Sequence, residues 1–290
     1  MTYTPPTFPD SFIVPPKSGT HTSTWIVLHG RGDQGRQFAQ GWTGFLDIRL
    51  PPNEEQGLSD LLPDTKFIFP NAPKRAAGRF DGMIIPQWFD LYSWDDSEKF
   101  PEWQVNGLKE TAEYVAELVR KEIKLVGKGN VVVGGLSQGC ASMLICLLTW
   151  EEELLGGIKA AFGMSGWLPF RHVLEKATED SHMDGASGGS VDLIPTDTAA
   201  FDRAAKALRK ELGLDVSGSN VARNVPLFIA HGGADDKVDV QLGREAASTM
   251  KKLGCDVSYK EYDSLVHWMR RDEIEDVLKF VNNEGVLPCF

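Results

Sequence analysis

Apolar and polar positions along this chain fall into blocks of two kinds that alternate. Short, nearly continuous apolar runs at Thr24–Leu28, Thr65–Phe69, Val131–Val133, Ile158–Gly166 and Val225–Ala230 predict strands buried on both faces. Between them, apolar residues recur every three or four positions, which predicts helices over Asn106–Val126, Ala141–Trp150, Ala199–Leu212, Val240–Leu253 and Asp272–Val281. Val257–Tyr262 largely alternates, as a strand nearer a sheet edge should. Strands and helices taking turns in this way predict an α/β fold, a mostly parallel central sheet covered by helices on both faces. No repeat and no second core interrupts the pattern, so residues 1–290 read as a single domain. Residues 1–20, rich in Thr and Pro, read as an extended N-terminal arm. Residues 171–224 are the least regular part and read as an insertion within the domain. The polar, glycine-rich stretch 182–190 makes part of it an expected mobile segment.

Each strand stops in a loop with its own chemistry. Val131–Val133 runs into Gly134-Gly135-Leu136-Ser137-Gln138-Gly139, and a helical pattern begins at once. A G-x-S-x-G set between strand and helix predicts a sharp turn that lifts the serine hydroxyl clear of the sheet edge, within reach of the new helix's N–H groups. Thr24–Leu28 ends in His29-Gly30-Arg31-Gly32-Asp33, too rich in glycine to continue any element, and able to turn the Arg31 N–H toward a ligand. His29, beginning this loop, reads as a residue that holds the loop's shape rather than as a base.

A serine needs a histidine to take its proton, and the histidine needs a carboxylate to orient it. His267 lies in the loop after Val257–Tyr262, and Asp235 in the loop after Val225–Ala230, which predicts neighbouring positions on adjacent parallel strands. Asp236, Asp239 and Asp263 are nearby, but Asp235 sits in the first turn after its strand. The connection 74–96 carries Met83, Ile84, Ile85 and Trp88, apolar surface that either plugs a gap or lines a binding groove. Loops leaving this sheet edge surround the serine, which favours the groove, and Trp167 and Leu168 are expected near the same site.

Composition narrows the partners. Thirty Lys and Arg against 41 Asp and Glu leave a net charge of −11, which repels phosphate backbones, so no nucleic-acid partner is expected. No run approaches the ~20 apolar residues of a membrane span, so no integral membrane association is expected. The N-terminus lacks a charged-then-apolar layout, and the four cysteines, Cys140, Cys146, Cys255 and Cys289, have no paired spacing. Both features predict reduced thiols and a cytoplasmic protein. No histidine pair has ligand spacing, so neither metal nor cofactor is expected.

The chain resembles the acyl-protein thioesterase, lysophospholipase and carboxylesterase family of α/β-hydrolases. The resemblance rests on His29-Gly30-Arg31-Gly32-Asp33, Ala72-Pro73, Trp88-Phe89-Asp90, Gly135-Leu136-Ser137-Gln138-Gly139, His231-Gly232-Gly233-Ala234-Asp235 and His267, spread over most of the chain. It implies an α/β-hydrolase fold and a Ser137–His267–Asp235 triad, with the N–H groups of Arg31 and Gln138 as oxyanion hole. It also implies a substrate that is an acyl ester or thioester: a small molecule, a lysophospholipid or an S-acylated protein. The departures are Cys140 after the elbow, Asp236 after the acid, and the long 171–224 segment. Two alternatives stand beside a thioesterase with an apolar acyl groove. One is a carboxylesterase for small or polar esters without a protein substrate, and the other a non-catalytic binding protein on the same fold.

Overall fold

The computed structural model describes residues 4–46, 58–93, 99–179 and 198–283. In chain order its strands and helices are β1 (Phe12–Val14), β2 (Ser23–Leu28), α1 (Gly35–Leu46), the short α2 (Leu58–Leu61), β3 (Thr65–Phe69), β4 (Lys74–Ala77), β5 (Met83–Pro86), α3 (Glu102–Val126), β6 (Val131–Leu136), α4 (Gln138–Thr149) and the short α5 (Glu152–Leu155). Then come β7 (Ile158–Met164), α6 (Arg171–Glu179), α7 (Thr198–Glu211), β8 (Leu227–Gly232), α8 (Val240–Lys252), β9 (Val257–Tyr262) and α9 (Arg271–Val281). The stretch 182–190 expected to be mobile, and Cys289, lie outside the described residues.

Among the described residues one sheet has the strand order β1-β3-β2-β6-β7-β8-β9. Only the β1–β3 pair in it is antiparallel. Side chains alternate across this sheet, and both faces are apolar. Trp25, Val27, Val132, Phe162 and Phe228 pack on one side with Phe38 and Trp42 of α1 and Ile274 and Val277 of α9. Ile26, Leu28, Val133, Leu227 and Ile229 pack on the other with α3, α4, α7 and α8. Burial on both faces is the physical reason the central strands read as unbroken apolar runs. β9 lies at the edge, and five of its six residues are only half-buried.

Two parts differ from the sequence reading. The extended N-terminal arm joins the sheet, because Phe12, Ile13 and Val14 pair with β3 as an edge strand. Phe8, ahead of it, stacks on Tyr114 with ring centroids 4.0 Å apart. The connection after β3 is not a plain loop either, since β4 and β5 form a separate antiparallel hairpin. Its turn holds Asp81 and Gly82 at φ of 50° and 79°, the left-handed pair that an Asp-Gly dipeptide supplies.

α4 is the most enclosed helix, with all twelve residues buried. Its last carbonyls lack intrahelical partners, as at any helix end. The buried Arg209 of α7 donates to the carbonyls of Thr149 and Trp150 at 3.0 and 2.9 Å. Asn220 Nδ2 donates to those of Leu147 and Trp150 at 2.9 and 2.7 Å. A cation at a helix C-terminus also complements its dipole. α6 is tied down separately, through Arg171 to Glu245 and Thr249 to Glu175, both on α8 and α6 surfaces that face each other.

Candidate active site

β6 delivers Ser137 into a backbone conformation of φ 56° and ψ −119°, which residues with a side chain rarely adopt. The flanking glycines are dictated by contact. A Cβ on Gly135 would lie 2.3 Å from the carbonyl carbon of Gly139, and one on Gly139 would lie 2.2 Å from the carbonyl oxygen of Leu28. The Ser137 N–H donates to the carbonyl of Met164 at 2.8 Å, so β7 fixes the turn from the side.

His267 and Asp235 reach this serine as their strands predict, because β8 and β9 are parallel neighbours. The two loops are sewn together by N–H bonds from Gly233 to Tyr262 and from Ala234 to Leu265. His267 Nε2 lies 2.9 Å from Ser137 Oγ, and His267 Nδ1 lies 2.8 Å from Asp235 Oδ2. The imidazole therefore carries its proton on Nδ1 and offers Nε2 to the hydroxyl. The other carboxylate oxygen, Asp235 Oδ1, accepts the N–H groups of Lys237 and Val238, both at 2.9 Å. Burial alone pushes the Asp235 carboxyl up, but hydrogen bonds from His231, His267 and the Val238 N–H together outweigh it and hold it well below the usual carboxylate range. Two of its competitors are occupied elsewhere: Asp236 meets Lys237 at the surface, and Asp239 caps α8 through the Gln241 N–H.

The loop after β2 closes over the same point, and a Cβ on Gly30 would lie 3.5 Å from the Cβ of Ser137. The Arg31 N–H and the Gln138 N–H, the latter in the first turn of α4, have no protein acceptor among the described residues. Their side chains, by contrast, are fully engaged. Arg31 donates to Gln87 Oε1 at 2.8 Å and to the Leu91 carbonyl and Asp90 Oδ1, both at 3.3 Å. Gln138 accepts the Trp88 N–H at 3.0 Å and donates to the Phe89 carbonyl at 2.8 Å. His29 shapes the loop as expected: Nδ1 faces the Gly30 carbonyl at 2.7 Å and Nε2 accepts the Ala72 N–H at 3.1 Å. Burial pulls its pKa down, and it does not meet Ser137.

Above these atoms is a cavity of about 250 Å³. Its apolar walls are Leu91, Leu136, Trp167, Val238 and Trp268, and Arg31, Asp33 and Lys237 stand among its polar ones. Of the residues expected to bind substrate, Trp167 is in this wall. Trp88 is corrected: its ring is fully buried in the core, and its indole N–H donates to the His29 carbonyl at 2.7 Å, behind the loop instead of in the cavity. Leu168 is likewise a core residue. Met83 and Ile84 stand on β5, each 61% exposed, and with the half-buried Ile85 they are outside the cavity wall, because the hairpin carries them away from the sheet edge. Leu136, Val238 and Trp268 are the apolar walls that the sequence reading did not assign to substrate, whereas Leu91 belongs to the 74–96 connection read as a groove. The available signal was adjacency, since Leu136 directly precedes Ser137 and Trp268 directly follows His267.

Residues 9–184 and 207–284 match the phospholipase/carboxylesterase family. The acyl-protein thioesterase 1 of Gibberella zeae is 28% identical over 275 residues, 94% of either chain. That of Schizosaccharomyces pombe is 35% identical over 164 residues, 55% of this chain and 62% of its own. Among solved structures, Zea mays acyl-protein thioesterase 2 superposes with a TM-score of 0.62 at 28% identity, covering 94% of this chain and 97% of its own. Arabidopsis thaliana SOBER1 shares the fold, with a TM-score of 0.63 at 20% identity over 90% of this chain and 98% of its own.

Proposed function

Since the chain belongs to the phospholipase/carboxylesterase family and is a serine hydrolase of ester or thioester bonds, we propose that it works through an acyl-enzyme formed on Ser137. His267 Nε2 takes the hydroxyl proton as Ser137 Oγ attacks the acyl carbonyl, and Asp235 holds the imidazole in the productive tautomer. The N–H groups of Arg31 and Gln138 receive the oxyanion, a contribution of ~3–4 kcal/mol per donor in comparable sites. Collapse breaks the bond to the alkoxide or thiolate, which leaves with the proton from His267, and water repeats the sequence to release the acid. The observation that carries this reading is the chain of contacts from Ser137 Oγ through His267 to Asp235, at 2.9 and 2.8 Å, at the foot of the cavity. Ser137→Ala should abolish esterase activity and labelling by a fluorophosphonate. Full activity in a folded Ser137→Ala protein refutes the reading, and an unlabelled wild type would make the chain a binding protein instead.

The favoured substrate is an acyl thioester or ester of the kind that the name acyl-protein thioesterase describes in the relatives. The acyl group would lie against Leu91, Trp167 and Trp268, in place of the Met83–Trp88 groove. A carboxylesterase for small esters is the second reading, favoured by a cavity of only about 250 Å³. Rates on p-nitrophenyl esters from acetyl to palmitoyl, beside S-acyl peptides and a lysophospholipid, separate the two. We further read residues 1–290 as one hydrolase domain, with 171–224 inserted, as the break in the family match between 184 and 207 suggests. Among the described residues no helix is long and apolar enough to cross a membrane. Buried, unpaired Cys140, Cys146 and Cys255 suit the cytoplasmic setting proposed.

A further inference from the structure

The Asp235 carboxylate faces two histidines, and the reaction just described uses one. We propose that the second, His231, is a positioning residue that locks the Asp235 carboxylate in the plane His267 requires, an inference that rests on the acyl-enzyme reading. His231 is the penultimate residue of β8 and is fully buried. Its Nε2 lies 3.0 Å from the Val238 carbonyl and 3.3 Å from Asp235 Oδ2. Two acceptors at Nε2 assign the proton to that nitrogen. The Val238 N–H donates back to Asp235 Oδ1, so strand, turn and carboxylate form a closed ring of contacts.

The need for such a lock follows from how the carboxylate is held. The N–H groups of Lys237 and Val238 both grip Oδ1. Oδ2 has otherwise only His267 itself to hold it, so a small rotation about the Cβ–Cγ bond that stretches the Oδ1 contacts leaves it some freedom to swing away from His267. A second donor at Oδ2 removes that freedom. Misplacement of this kind is costly in rate even when every group remains present.

The other face of the imidazole argues against a purely space-filling role. His231 Nδ1 is buried and has no hydrogen-bond partner among the described residues. It abuts Gly243 of α8, where a Cβ would lie 2.2 Å from it. An unpaired buried nitrogen carries an uncompensated desolvation cost, and an apolar ring of the same size would avoid it. What the imidazole supplies in exchange is the Nε2–H.

The test compares His231→Phe, which keeps the ring volume and removes the donor, with His231→Gln, which returns an N–H near the Nε2 position. The Phe variant should lose roughly ten- to hundred-fold in kcat, the scale on which a small misplacement of reacting groups costs rate, with KM nearly unchanged. The Gln variant should recover most of it. Wild-type kcat in a folded His231→Phe protein overturns the inference, as does equal loss in both variants. Should His231→Phe fail to fold, Gly243→Ala tests the same point from α8 by displacing the ring, and there unchanged kcat overturns the inference. Asp235→Asn separates the two levels: an active Asp235→Asn enzyme refutes the acyl-enzyme reading, whereas an inactive one beside an unaffected His231→Phe refutes only the role of His231.

Discussion

Arg31 and Gln138, one from the loop after β2 and the other from the first turn of α4, close their side chains on the same segment, residues 87–91. Each has its own main-chain N–H at the cavity without a protein acceptor among the described residues. One buried strip thus sets the spacing of two donors that belong to different elements. Gln138→Met should remove both contacts to the strip while leaving the Gln138 N–H in the chain. The Trp88 N–H and Phe89 carbonyl would be orphaned at about 1–3 kcal/mol each. The expected result is a lower melting temperature together with a fall in kcat larger than any change in KM. An unchanged kcat would mean that the strip does not govern the donors.

Ser137 holds its hydroxyl at the cavity through a strained backbone, with φ 56° and ψ −119°. Such conformations cost of order 1–3 kcal/mol for residues with a side chain and little for glycine. Ser137→Gly should therefore be inactive, yet more stable than Ser137→Ala, by roughly 2–4 °C of melting temperature for each kcal/mol recovered. Thermal unfolding of the two inactive variants side by side gives the answer. Equal stabilities would show that the turn holds no strain.

Trp268 is 40% exposed and forms part of the cavity wall beside His267. Trp268→Ala removes apolar surface that only a longer acyl group could reach. Burial of a few methylenes is worth ~0.8 kcal/mol each, so kcat/KM for an octanoyl ester should fall roughly tenfold while the acetyl ester is nearly unaffected. A parallel loss on both esters would place the acyl group elsewhere.

The elbow and the three side chains around it were legible because their signals are local: a β-branched run, glycines two residues either side of Ser137, and polar loops at strand ends. Trp88 was misread for the converse reason. An aromatic residue in a connection shows from sequence that it is apolar, but not whether its ring turns toward the core or the cavity. The β4–β5 hairpin was missed because each strand has four residues and pairs only with the other, although Asp81-Gly82 was the turn signal available. β1 spans three residues near prolines, too few for a period. The side-chain work of Arg31 and Gln138 depends on partners about 50 to 60 positions away, and no spacing rule reaches that far.

Glu273, in the first turn of α9, is fully buried, and one of its oxygens accepts the Arg270 N–H at 3.3 Å. Burial, and then Asp272 beside it, push its carboxyl up to about 8. The unfolded chain releases this proton near pH ~4.3, so between the two values the folded state holds one proton more. The resulting stability is complete at low pH, erodes by at most ~1.4 kcal/mol per pH unit, and is gone above pH 8. Glu273→Gln cannot ionise and should erase that slope, so its melting temperature should gain on wild type progressively from pH 5 to pH 8. A constant difference across that range would contradict the protonated state.

α4 carries Ser137 at its start and Gln138 in its first turn, is buried along its whole length, and has Arg209 and Asn220 holding its last carbonyls. A helix fastened at both ends inside the core has no partial opening of its own, because any motion that frees it must also part the sheet from its neighbours. Heat should consequently act on this enzyme as a single event. Ser137 should keep its place until the temperature at which the domain comes apart, with no window in which a folded population with a displaced Ser137 accumulates.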